Sequence, residues 1–240
     1  MKNCWANGLG NCSDQISLEH YISQGIFDDK SIIVQGFSWC LDKPALIGIA
    51  SFGANILCTK HNNELCECID LEGVKLIKFL QNPSNKENSL IIKNDLFERW
   101  LLKTAINLSI KENCFIGVGM NNSEKNKVPD YLLHIAFNKN IFSYEMGLYI
   151  LPAVVQSSVQ NSVIAIVPFL KNDEIGGFYF NLYGLGFFLS LFPGHTPPSL
   201  YEIGIENDLL PSEHLNVTPI YRPNEIQIEH NFVIKKIMFR

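Results

Sequence analysis

Leu57-Cys58-Thr59-Lys60-His61-Asn62-Asn63-Glu64-Leu65 is the stretch at which the chain changes period. Ahead of it lie two extended pieces, residues 31–40 and 45–57, separated by the turn formers Leu41-Asp42-Lys43-Pro44, which together read as a hairpin. Beyond Cys58 the apolar residues Leu65, Ile69, Leu71, Val74, Ile77, Phe79 and Leu80 recur at helical spacing. A helix therefore starts near Thr59 or Lys60, with a break expected near Gly73. Cys58 and His61 form a C-x-x-H pair at its mouth.

Toward the N-terminus, Cys4 and Cys12 bracket a glycine-containing knuckle, Asn7-Gly8-Leu9-Gly10-Asn11. Zinc takes four thiolate or imidazole ligands in a tetrahedron, and a loop and a helix start can supply two each. The expectation is one structural zinc site with ligands Cys4, Cys12, Cys58 and His61. The plainer alternative is separate core thiols and a surface histidine. Between the pairs, Glu19-His20 closes a short extended segment that starts at Ile16. In extended backbone their side chains point to opposite sides unless the strand bends. Histidine suits proton transfer near neutrality, and a hard divalent cation wants carboxylate and amide oxygens.

Composition sets the frame for these residues. A chain of 240 residues with 47% hydrophobic and 18% charged residues has ample material for a core, which excludes a disordered protein. The net charge of −5 speaks against non-specific coating of nucleic acid, which runs on Lys and Arg. Charge is uneven, however. Residues 71–150 alone are net positive, and the helices around Lys75–Lys78 and Arg99–Lys111 are the expected phosphate contacts. Seven cysteines, an odd number, point to metal chemistry in a reducing compartment more than to a disulfide frame. With no apolar secretory segment after Met1, a cytoplasmic location is expected. The uncharged stretches 146–170 and 175–193 are broken by Pro152, a polar run and glycines, so they read as buried strands and no membrane partner is expected.

The run of turn formers from Gln81 to Ser89 marks a boundary between residues 1–80 and 90–240. A second helix, capped by Asn94 or Asp95, runs from Leu96 to about Lys111. Short strands are expected thereafter, at 132–137, 163–169, 177–183, 226–229 and 233–239. The fold class is α+β.

Ile16-Ser17-Leu18-Glu19-His20-Tyr21-Ile22-Ser23 and Leu57–Leu65 together resemble the zinc-containing HNH endonucleases of the ββα-metal group, over residues 1–80 only. In that family a cysteine pair precedes an acid and a general-base His. An Asn on the second strand follows, then C-x-x-C with His or Asn at the helix start. Here Cys4 and Cys12 are eight apart, and His61 stands where the family has a cysteine. The resemblance implies an N-terminal zinc-stabilised ββα-metal unit, which the second helix and the β-rich C-terminal domain read from the pattern would follow. It implies Glu19 and Asn62 holding a catalytic Mg²⁺ or Mn²⁺, His20 as general base, and Asn55 fixing its tautomer. Alternatively, His61 holds the catalytic metal and Cys66 or Cys68 completes the zinc site. The implied activity is phosphodiester hydrolysis in nucleic acid, DNA first, of the kind used by defence or toxin effectors. Residues 90–240 would recognise a partner, a regulator or the nucleic acid, and a regulatory protein or a second copy of the chain is the further expected partner. The competing expectation is an inactive zinc-stabilised module that binds nucleic acid or protein.

Overall fold

The computed structural model describes residues 3–65, 67–82, 89–111, 127–151, 164–171, 174–193, 220–229 and 234–238. A 3₁₀ turn, Trp5–Leu9, leads into β1 (Ile16–His20), which passes over the next two strands in the chain before finding a partner. β2 (Ser31–Val34) and β3 (Ala45–Gly48) pair with each other, Ile33 opposite Leu46, as a separate two-stranded ribbon. β4 (Gly53–Cys58) then pairs antiparallel with β1, Ile16 opposite Cys58 and His20 opposite Gly53, with a bulge between Ser17 and Glu19. Residues 45–57 are thus two strands, because the 3₁₀ turn Ile49–Ser51 turns the chain from one partner to the other.

Cys58 ends β4 and caps α1 (Thr59–Glu64), and α2 (Glu67–Gln81) follows. The helical stretch breaks at Leu65, whose backbone is extended, and not at Gly73. Gly73 lies inside α2, where the indole of Trp100 packs so closely that a Cβ would fall 2.2 Å from its ring. A helical glycine weakens a helix in isolation, and here it makes room for a tryptophan. β5 (Ser89–Lys93) leads directly into α3 (Asn94–Lys111), which buries most of its surface between α2, α4 (Asp130–Ala136) and the sheets.

α4 replaces the strand expected at 132–137. Pro129 pre-sets the first turn, the N–H groups of Leu132 and Leu133 donate to its carbonyl, and Leu132, Leu133, Ile135 and Ala136 are buried. Burial on neighbouring elements outweighs the β-like composition of this segment. β6 (Gly147–Leu151), β7 (Ile164–Lys171), β8 (Glu174–Leu182), β9 (Leu185–Ser190) and β10 (Ile220–Tyr221) form an antiparallel sheet in the order β10-β6-β9-β8-β7. β11 (Glu225–Glu229) joins β5 to β12 (Ile234–Met238) in a three-stranded sheet. The expected strands at 163–169, 177–183, 226–229 and 233–239 correspond to β7, β8, β11 and β12.

The architecture is mixed α and β, with the sheet-rich part following the helices. One hydrophobic cluster runs from Cys4 through Ile77, Phe97 and Trp100 to Phe187 and Ile226, so residues on both sides of the 83–88 segment share a core. Among the described residues no helix is long and apolar enough to cross a membrane.

Candidate metal centre

Four chain segments converge on one point. The 3₁₀ turn starts at Cys4, and Gly10 and Asn11, both at positive φ, swing the chain back so that Cys12 returns beside Cys4. The next residues lash this loop to the start of α1: Lys60 N–H donates to Ser13 Oγ at 3.1 Å, Thr59 N–H donates to the Gln15 carbonyl at 2.9 Å, and the Ser13 and Thr59 hydroxyls are 2.8 Å apart. The rings of Trp5 and His61 both meet the edge or face of Phe137, just past α4, at 5.8 and 5.6 Å between centroids.

The result brings the expected quartet together. Cys4, Cys12 and Cys58 Sγ and one His61 nitrogen all lie within 4.8 Å of one another. His61 Nδ1 is 3.4, 3.6 and 3.3 Å from the three sulfurs in that order. Tetrahedral zinc with ordinary Zn–S and Zn–N bonds separates sulfur and nitrogen by about 3.5 Å, so the donor set fits that ion. Burial alone would raise the Cys58 thiol, but the His61 N–H and Ser13 outweigh it and bring it down to about 6. Burial pushes the Cys4 thiol up to about 12, so a metal would have to draw off that proton. A Cys₃His cluster of this kind can hold a structural ion such as zinc. In the alternative ligand set, Cys68 is disulfide-bonded and has no thiolate to offer, and Cys66 lies outside the described residues.

The strand end beside this cluster is organised differently from the sequence expectation. β1 is irregular at its bulge between Ser17 and Glu19, and Glu19 turns inward, 5% exposed. Its Oε1 accepts from Lys103 Nζ at 2.7 Å and from Asn107 Nδ2 at 3.3 Å, both on α3. Lys103 also donates to Asp70 of α2 at 2.8 and 3.0 Å. Asp70 Oδ1 accepts from Ser23 Oγ at 2.7 Å, and Ser23 accepts from Trp100 Nε1 at 2.8 Å. Burial would lower the Lys103 pKa, but Glu19 and Asp70 outweigh it and hold the ammonium above its usual range. A cation at Glu19 would have to displace this ammonium, so the residues as they stand do not fit a divalent ion shared between Glu19 and Asn62. Asn62 donates to Ser17 Oγ at 3.2 Å.

His20 sits at the last β1 position, opposite Gly53. Its Nε2 is buried and has no hydrogen-bond partner among the described residues. Asn55, assigned to hold this imidazole, is exposed on β4. Of the basic helix residues, Arg99 is buried and donates twice to the Ala136 carbonyl, at 3.2 and 3.0 Å, while Lys75 and Lys78 stay at the surface, Lys75 donating to the Ile91 carbonyl at 2.7 Å and Lys78 pairing with Asp28 at 2.6 Å. Lys103, Asn107 and Asp70 escaped the sequence reading. The available signal was a lysine and an asparagine one turn apart on the same face of α3.

Against known proteins, no family model, curated protein or solved structure matches the chain significantly.

Proposed function

We propose that the chain is a zinc-stabilised ββα nuclease-like protein that hydrolyses phosphodiester bonds in nucleic acid, DNA first, with His20 as general base. The observation that carries this reading is the unpartnered, buried Nε2 of His20 at the Gly53 end of the β1–β4 pair, with the Cys₃His cluster at the opposite, Cys58 end where α1 begins. A buried nitrogen without a partner is costly, and a water admitted by movement of the side chains that cover it would satisfy it. There Nε2 takes the proton as the water adds to phosphorus, a contribution of about 10²–10⁴-fold in rate. Zinc supplies structure alone. The test is cleavage of plasmid and single-stranded DNA and of RNA, with and without Mg²⁺ or Mn²⁺, by wild type and His20→Ala. Activity that survives the substitution removes His20 from this role.

A second reading has its own support. Glu19 is already neutralised by Lys103, which suits a non-catalytic, zinc-stabilised module that binds nucleic acid or a protein partner. One equivalent of zinc, retained binding to nucleic acid, and no cleavage under any metal condition would favour it.

A further inference from the structure

We infer that Asn107, on α3, is the residue that positions His20, the role the family resemblance gives to Asn55 on β4. The inference rests on His20 being the general base and concerns what aims it. An asparagine side chain has two N–H donors and a carbonyl acceptor. Asn107 is 1% exposed and uses all of them: Nδ2 donates to the His20 carbonyl at 3.0 Å and to Glu19 Oε1 at 3.3 Å, and Oδ1 accepts from Trp5 Nε1 at 3.1 Å.

These contacts fix the backbone on one side of His20, and β4 fixes the other. The peptide plane after His20 is held at both ends, its carbonyl by Asn107 and the Tyr21 N–H by the Phe52 carbonyl at 3.2 Å. The plane before it lies against Gly53, where a Cβ would fall 2.6 Å from the Glu19 carbonyl oxygen. With both planes set, the Cα–Cβ direction of His20 is set, and only its staggered χ1 and χ2 choices remain to aim the imidazole. Trp5 adjoins the zinc ligand Cys4, so the same amide ties the Cys₃His lobe to the strand end. Asn55 is exposed and Asn107 is buried on the backbone it would orient. The positioning group therefore comes from outside the residues that resemble the family.

The experiment uses the full zinc-loaded chain. Asn107→Ala and Asn107→Leu are compared with Asn55→Ala in zinc content, in kcat and KM on DNA, and in the ¹⁵N shifts of the His20 ring, which report its tautomer at fixed pH. Asn107→Leu keeps nearly the side-chain volume, adds no charge beside Glu19 and loses the donor to His20, so it carries the test should the alanine variant fail to fold. Both Asn107 variants should keep one equivalent of zinc, shift the His20 ring signals, and lose about 10–100-fold in kcat with KM within about twofold, because misplacement of a catalytic group by an ångström is worth about that much. Unchanged ring signals in a folded, zinc-loaded Asn107 variant would overturn the inference, as would a kcat loss found in Asn55→Ala and absent from Asn107→Leu. Should wild type cleave nothing, the nuclease reading fails, and the ring signals alone still decide whether Asn107 orients His20.

Discussion

The Trp100 indole lies flat across Gly73, leaving no room for a Cβ between α2 and α3. Alanine normally gains about 1 kcal/mol over glycine inside a helix. At this position it forces a large ring to move, at about 1–3 kcal/mol, and pulls Trp100 Nε1 off Ser23. Gly73→Ala should therefore destabilise the protein by about 1–2 kcal/mol despite its better propensity, measured by urea unfolding.

The metal centre makes a second prediction. Purified protein should carry one equivalent of zinc, and a strong chelator should lower Tm by about 10 °C or more, since a chain of this size moves about 2–4 °C per kcal/mol. Cys58→Ser and His61→Ala should mimic the chelator, both residues being buried. Cys12→Ser should be milder, because Cys12 sits partly exposed at the rim of the cluster. Metal analysis alongside thermal scans checks each arm.

Lys103 gives a third. Its ammonium lies between two carboxylates, with Glu19 fully buried and Asp70 about a third exposed. Lys103→Met leaves Glu19 without its counter-charge and should cost about 3–5 kcal/mol, nearly all of it from Glu19, because water screens Asp70. A lysine whose folded pKa lies above its unfolded value stabilises fully below the unfolded value. That contribution fades as pH rises from about 10.5 through the higher folded pKa, so the penalty of Lys103→Met should be constant around neutral pH and shrink in strong alkali. Denaturant midpoints from pH 7 to 11.5 read this out.

A fourth concerns Glu98, whose carboxylate pairs with Arg222 Nε at 2.8 Å and accepts from Leu148 N–H at 2.7 Å. Burial raises its pKa even though Arg222 and Leu148 oppose the shift. A carboxyl raised in the folded state favours folding below its unfolded pKa and loses that contribution as pH climbs through the folded one. Glu98→Gln keeps an acceptor for Leu148 N–H but turns its amide N–H toward Arg222 Nη2, which now donates to Oε2 at 2.9 Å, and should cost about 1–3 kcal/mol. Arg222→Met strands a buried carboxylate, should cost about 3–5 kcal/mol at pH 7, and should recover toward pH 5.

The cysteine and histidine quartet was legible because its ligands fall at a loop and a helix mouth, and local spacing places both. Strands β7, β8, β11 and β12 were legible from their β-branched and aromatic runs. Segment 132–137 was not, since Leu, Ile and Phe serve helix and strand alike, and Pro129 and the facing 3₁₀ turn decided between them. Residues 45–57 read as one strand because nothing local announces that Ala45 and Gly53 have different partners. The polar network of Glu19, Lys103, Asp70 and Asn107 was hidden for a stronger reason: it is a tertiary pairing across 88 residues in the case of Asn107 and Glu19, and periodicity carries no information about who meets whom at that distance.

That separation also orders events during synthesis. A nascent chain that has emerged only as far as α2 holds every Cys₃His ligand and can close the metal lobe, yet its His20 strand end lacks Lys103 and Asn107. Closing so long a loop is slow compared with local helix formation. The strand end is therefore completed only after α3 has left the ribosome, and a chain truncated before residue 107 would lack the group that holds the His20 carbonyl.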